Sequence, residues 1–253
     1  MDQVARTVLG LLLLAAVACL VPLVDGVRQT RAVLWATTRG TAQLLTVGLL
    51  LGAVFRAPLA VLPVLAVMVA AATATITPRL ARLPAQPPWR RPAAAATAVT
   101  SGATLTGTVI FTTGALPLGV RNLVAVGGIT IGGAMTASTL AGRRFVAELR
   151  TRRAEVEGKL ALGATMRQAT ADLVTVAVAE ALVPALDQTR TTGLVTLPGA
   201  FVGALVGGAS PLAAARFQLV VLVGLLAAES VATVALLRQL ADLPALPPST
   251  TPT

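Results

Sequence analysis

The chain alternates long apolar runs with short segments that hold nearly all of its charge. Seven runs stand out, at roughly 7–24, 37–55, 59–77, 93–113, 122–142, 168–186 and 211–237. Each is close to the roughly 20 residues that a helix needs to cross a hydrocarbon core about 30 Å thick. Inside a bilayer only helices and closed barrels satisfy every backbone N–H and C=O. Barrel strands read as short alternating segments with aromatic girdles. Here the runs are continuous, and there is no Tyr, with only two Trp and five Phe. The pattern predicts an all-α integral membrane protein: one polytopic domain over 1–253, a bundle of about seven transmembrane helices, with a short flexible C-terminal tail at 241–253.

Three stretches need a separate reading. The start, Met1 to Arg6 followed by LLLLAAVACLVP, has the outline of a secretory signal, or of a lipoprotein signal ending at Cys19. Its basic region is one Arg offset by Asp2, and removing it would take away the first partner of the spans that follow, so a retained span is expected. Residues 143–167, RRFVAELRTRRAEVEGKLALGATMR, are charged and helix-prone, with apolar Phe145, Val146, Leu149, Val156 and Leu160. They read as a cytoplasmic helix extending the fifth span, then a turn at Gly163. Residues 193–209, GLVTLPGAFVGALVGGA, are apolar but interrupted by Pro198 and glycines. They form either a re-entrant segment, which needs shielding by protein or water, or an eighth crossing that would move the C-terminus outside.

Composition agrees with this class. Hydrophobic residues make up 55% and charged residues 12% of the chain, whereas a soluble domain carries about 25% charge. The net charge of +10 orients the chain, because Lys and Arg concentrate in cytoplasmic loops. Segments 25–39, 78–92 and 143–167 carry net charges of +2, +4 and +4, while the intervening loops hold only Arg56, then Arg121, then Asp187 with Arg190. The alternation places the N-terminus outside and the C-terminus, with Arg238, in the cytoplasm of a cell inner (plasma) membrane.

Small residues recur four apart at Gly48–Gly52, Gly128–Gly132 and Gly199–Gly203–Gly207. That spacing puts them on one helix face and predicts close helix packing. The single Cys19 and the absence of histidine exclude an internal disulfide and remove the commonest zinc ligand and catalytic base. Carboxylates inside a membrane are costly and usually face a pathway or a partner. Asp172 falls near the cytoplasmic interface, Asp187 falls at the outer end of the sixth span, and Glu180 and Glu229 fall deepest. Their hard oxygens suit an iron-like cation better than the chain's scarce sulfur. No GxxxxGK[ST] motif is present, so the chain has no phosphate-cradling loop of that kind.

The segments TTRGTAQLLTVGLLL (37–51), GGITIGGAMTAS (127–138), GKLALGATMRQA (158–169), ALVPALDQTRTTGLVTLPG (181–199) and GGASPLAAARFQLVVL (207–222) carry a more specific signal. In order and spacing they resemble the FetB-like family of iron-export ABC permeases, whose plant relatives are linked to aluminium tolerance. The resemblance covers roughly 35–240, and its most specific stretch includes Asp187, Pro198, Gly199, Pro211 and Gln218. It implies a non-enzymatic transport subunit, dimeric, exporting a metal ion or small solute. A separate cytoplasmic ABC ATPase would bind ATP and Mg²⁺, and this chain would hold no cofactor.

Within that resemblance LALGAT looks like the cytoplasmic coupling segment. Leu160 and Leu162 would be apolar anchors, Gly163 the turn, and Glu157, Ala164 and Arg167 its neighbours. Asp187, Glu180, Glu229, Met135, Pro198 and Gly199 are candidates for the translocation path; whether any binds metal stays open. Two departures bear on the substrate: Gly133 stands where the family usually has Asn, and Ala200-Phe201 replace a Met pair. An ATPase-independent secondary transporter or channel is the alternative, although no internal inverted repeat of the kind such proteins show is found.

Overall fold

A computed structural model describes residues 2–80 and 89–242. The basic residue Arg82 and the tail from 243 onward lie outside the described residues. Among the described residues every regular element of more than one residue pair is helical. Two units are distinguished, Met1–Pro58 and Leu59–Thr253.

The first unit is a helical hairpin, α1 (Gln3–Val24) and α2 (Thr30–Val54). Gly26 turns the chain with φ +74°. Its N–H donates to Leu23 O, and the Val27 N–H donates to Pro22 O, the paired closure that ends a helix on a left-handed glycine. Cys19 packs at 8% exposure with its Sγ 4.0 Å from Thr30 O. The rest of α1 presents Leu and Val on all sides, the character of a helix meant for an apolar surrounding.

The second unit begins with α3 (Val61–Ile76), bracketed by 3₁₀ turns at Pro58–Ala60 and Thr77–Leu80. It continues through α4 (Arg90–Thr112), α5 (Val120–Thr151), α6 (Arg153–Ala161), α7 (Met166–Ala169), α8 (Ala171–Thr191), α9 (Gly199–Val206) and α10 (Pro211–Ala241). Helix α10 packs against α4, α5 and α8, and α5 also packs against α3, α4 and α8. These two central helices have 31 and 32 residues, about 46–48 Å at 1.5 Å per residue, so each outlasts a hydrocarbon core of about 30 Å.

Helices approach closely in this bundle because small side chains line the contacts. Ala177, Ala181 and Ala185 repeat four apart on the buried face of α8, and Ala94, Ala95, Ala98 and Gly102 line that of α4. A methyl at Gly102 would run into the Ala228 carbonyl oxygen, one at Gly142 would meet Leu80, and one at Gly224 would lie 3.0 Å from Ile110. The glycine pairs singled out by spacing behave differently. Gly128 meets Met68 at 3.1 Å, but Gly48, Gly52, Gly132, Gly199 and Gly203 have nothing within 4 Å, and Gly207 meets only its own helix. Spacing marks a face, but the crossing points of the helices decide which glycines are used.

The expected apolar runs overlap helices, the sixth starting in α7 and continuing through α8. Five helical segments are long and apolar enough to cross a membrane: Gln3–Val24, Pro58–Leu80, Arg90–Thr112, Val120–Thr151 and Pro211–Ala241. Helices α2 and α8 have 25 and 21 residues but carry more charge. Within the stretch 193–209 the regular helix is the eight-residue α9, about 12 Å long.

Candidate coupling segment and membrane carboxylates

Residues 143–167 depart from the expected unbroken extension of the fifth span before the turn at Gly163. Helix α5 ends at Thr151, and Arg152, with φ −103° and ψ 26°, separates it from α6. The bend lets Val156, only 1% exposed, and the partly buried Leu160 fold back onto the core, which a straight continuation would carry away from it.

Sequence chemistry explains α6. Glu155 in its first turn and Lys159 in its last complement the helix dipole. The ion pairs Arg152–Glu155 (2.8 Å), Glu155–Lys159 (2.9 Å) and Arg153–Glu157 (2.7 Å) lie along it. Lys159 and Arg152 also reach Asp172 at the start of α8, tying the two helices together. The Arg152 guanidinium, and after it the Lys159 ammonium, hold the Glu155 carboxyl down at about 2. Asp172 first and Glu155 second raise the Lys159 ammonium.

The turn that follows is fixed at both ends. Gly163 has φ +91°; its N–H donates to Leu160 O at 2.9 Å, and Ala164 N–H to Lys159 O at 3.1 Å, the Schellman closure. Thr165 then caps α7: its hydroxyl accepts from the Gln168 N–H at 3.3 Å, while the Gln168 side chain accepts from the Thr165 N–H at 2.8 Å, a capping box. Ala164 and Met166 pack against the core. Leu162 stands at the apex, 90% exposed. Glu157 and Arg167 lie exposed beside it.

The path candidates do not form one cluster. Asp187 is exposed and sits 3.8 Å from Arg190, with Pro198 and Gly199 starting α9 at the same end. Glu180, expected to lie deep, is half-exposed and faces Arg144 at 2.8 Å, too bent for a hydrogen bond; Arg144 also pairs with Glu148 at 2.9 Å. Met135 packs against the core of α5. Among the described residues no three His, Cys, Asp or Glu side chains converge on a metal-sized site.

Glu229 differs from the others. It is 9% exposed on α10, and a methyl at Gly133 of α5 would lie 2.7 Å from its Oε1. The carboxylate therefore lies in the space that a side chain at 133 would take. Among the described residues no hydrogen bond or ion pair reaches it. Thr73 Oγ1 on α3, Thr106 Oγ1 on α4, Ser138 Oγ and Thr139 Oγ1 on α5, and Gln218 Oε1 on α10 are buried without partners. Unpaired polar atoms are rare in packed interiors, and here they are spread over α3, α4, α5 and α10. The sequence singles out Glu229 by its charge but gives no signal for the hydroxyls, because Ser and Thr are unremarkable in apolar helices.

Comparison with known proteins places the chain. Residues 6–242 match the uncharacterised protein family UPF0014. The chain belongs to this family. A UPF0014 relative from rice, the membrane protein STAR2, is 34% identical over 203 residues, which are 79% of this chain and 70% of that one. YjkA of Bacillus subtilis is 33% identical over 205 residues, 79% of each chain. The probable iron export permease protein FetB of Escherichia coli is 30% identical over 227 residues, 88% of this chain and 85% of its own. No solved structure shows a significant match.

Proposed function

We propose that this UPF0014 membrane protein is the membrane-spanning permease subunit of an ABC transporter that exports an iron-like metal ion or a small solute. The observation that carries the reading is Leu162. It is a nearly fully exposed leucine at the apex of a doubly closed turn, directly after the ion-paired helix α6. An exposed apolar side chain held rigidly among charges is suited to a partner's groove. The partner is a cytoplasmic ATPase carrying ATP and Mg²⁺, and the permease works as a homodimer. The similarity to FetB, named as a probable iron export permease, supports the metal substrate.

Seven crossings, with α2 and α8 added to the five apolar segments, agree with the alternation of basic loops and put the N-terminus outside. On ATP binding the ATPase would push α6–α7, and the ion pairs from Arg152 and Lys159 to Asp172 would carry that displacement into α8. Glu229, with the unpartnered hydroxyls of α4 and α5, offers oxygen ligands along the bundle centre. Purifying the tagged chain from native membranes under mild extraction tests the assignment. A stoichiometric ABC ATPase is expected by mass spectrometry; repeated recovery of the folded chain without one favours the secondary transporter or channel.

A further inference from the structure

A second site lies at the charged end of the bundle, away from the α6–α7 turn. Arg143, Val146, Ala147 and Arg150 occupy positions i, i+3, i+4 and i+7 of α5, so they share one face of that helix. The 3₁₀ turn Thr77–Leu80 is pinned against α5 by Leu80, which is fully buried beside Gly142 and in one cluster with Phe145 and Val146. Pro78 and Arg79 are thereby held opposite the two arginines of α5. Together these six residues line a cavity of about 440 Å³, within the roughly 300–1,000 Å³ typical of small-molecule sites.

Five carboxylates of the surrounding elements are engaged elsewhere: Glu148 with Arg144, Glu155 with Arg152 and Lys159, Glu157 with Arg153, Asp172 with Lys159, and Glu180 with Arg144. Asp242 at the end of α10 has no ion pair with the cavity arginines among the described residues. Among the described residues Arg79, Arg143 and Arg150 pair with none of them. Three guanidiniums around one recess match the oxygens of a phosphate, which arginine binds in a bidentate fork.

An apolar groove adjoins the cavity and shares Pro78 with it. It has a volume of about 760 Å³ and runs between Ala66, Ala70 and Ala74 on α3, with Thr77 just beyond it, and Pro92, Ala96 and Thr100 on α4. From residue 66 to 77 it follows the helix for about 16 Å, half of a hydrocarbon core of about 30 Å, so it is one leaflet deep. Trp89 at the start of α4 is exposed, with Arg90 over its ring at 5.6 Å. Tryptophan and arginine together mark the headgroup level of a membrane.

We propose that the Arg79–Arg143–Arg150 cavity binds the phosphate of an anionic phospholipid from the cytoplasmic leaflet, with one acyl chain lying in the α3–α4 groove. Charge complementarity supplies the headgroup contact, and continuity of the groove with the cavity distinguishes a lipid from a free anion. The site does not depend on the ATPase assignment.

Native mass spectrometry of the detergent-purified chain, supplied with phosphatidylglycerol or phosphatidylcholine of equal chain length, tests this. Wild type should retain phosphatidylglycerol in preference. Each arginine that meets the headgroup phosphate should strengthen binding about fivefold, so Arg143→Gln with Arg150→Gln should weaken retention about thirtyfold, with an unchanged melting temperature. Arg238→Gln, a single charge lost at the same end, should leave retention intact, and Ala70→Leu with Ala96→Leu, filling the groove, should lower it. Equal retention by wild type and the double arginine variant would overturn the site. Equal losses from Arg238→Gln and the arginine pair would do the same, by showing diffuse attraction only. If inorganic phosphate displaces the lipid fully and the groove variant changes nothing, the cavity holds a free phosphate and the lipid assignment falls.

Discussion

Replacing Leu162 by Asp separates docking from folding. Leu162 is 90% exposed, and its turn is held by the Gly163 and Ala164 N–H bonds and by the Thr165–Gln168 box, none of which uses its side chain. The substitution should therefore leave the melting temperature of the isolated chain within a degree or two. If the leucine inserts into an ATPase groove, nearly all of its surface is available for burial, worth about 1.5–3 kcal/mol. Truncation to Ala should then weaken ATPase binding by roughly ten- to a hundredfold, at 1.4 kcal/mol per factor of ten. Asp adds the cost of burying an unpaired charge, so its loss should be at least as large. Affinity would be measured by biolayer interferometry between the purified chain and its ATPase. Leu194→Asp is the matched control, since Leu194 is 92% exposed on the turn after α8, at the other end of the bundle. Binding of Leu162→Asp within twofold of wild type, or equal losses from both variants, would refute the docking role.

Two further outcomes follow from packing and charge. Gly102→Ala drives a methyl into the Ala228 carbonyl oxygen, which is main chain and yields little, while Gly107→Ala on the same helix meets nothing within 4 Å. Overpacking costs about 1–3 kcal/mol, so the first variant should melt several degrees lower, at roughly 2–4 °C per kcal/mol. Thermal unfolding in detergent checks this, and equal stability of the two variants would contradict the α4–α10 contact. Acid should loosen α6. The Glu155 carboxyl is held at about 2 against an ordinary 4.5, so its pairs stabilise the folded segment fully above about 4.5, and that contribution is lost as pH falls toward 2. Hydrogen exchange of the α6 amides should rise over this window in wild type. Glu155→Gln should show a smaller step, the remainder coming from Asp172 paired with Lys159, and an identical pH profile in both would argue against the pairing.

Some features were legible because they depend on neighbours along the chain. The turn at Gly163 is one, since a glycine closing a charged, helix-prone stretch marks a helix end, and it has φ +91° there. The Asp187–Arg190 approach follows from a spacing of three on one helix. Other features needed partners distant in sequence. Glu180 looked like a deep carboxylate until α5 brought Arg144 beside it, and nothing local to residue 229 or residue 133 announces that they share one space.

The sequence by itself determined the class: apolar runs of span length, too little charge to face water, and family-like segments in order. These are sums over residues or matches along the chain, so no contact is needed to read them. The tertiary structure decided which small residues carry helix crossings, that the chain breaks at Arg152, and that Arg79 meets Arg143 and Arg150. Those facts depend on how helices remote in sequence rotate and cross. In a bundle packed through alanine and glycine, a turn of one helix by a single residue exchanges one contacting face for another, and the linear pattern scarcely changes.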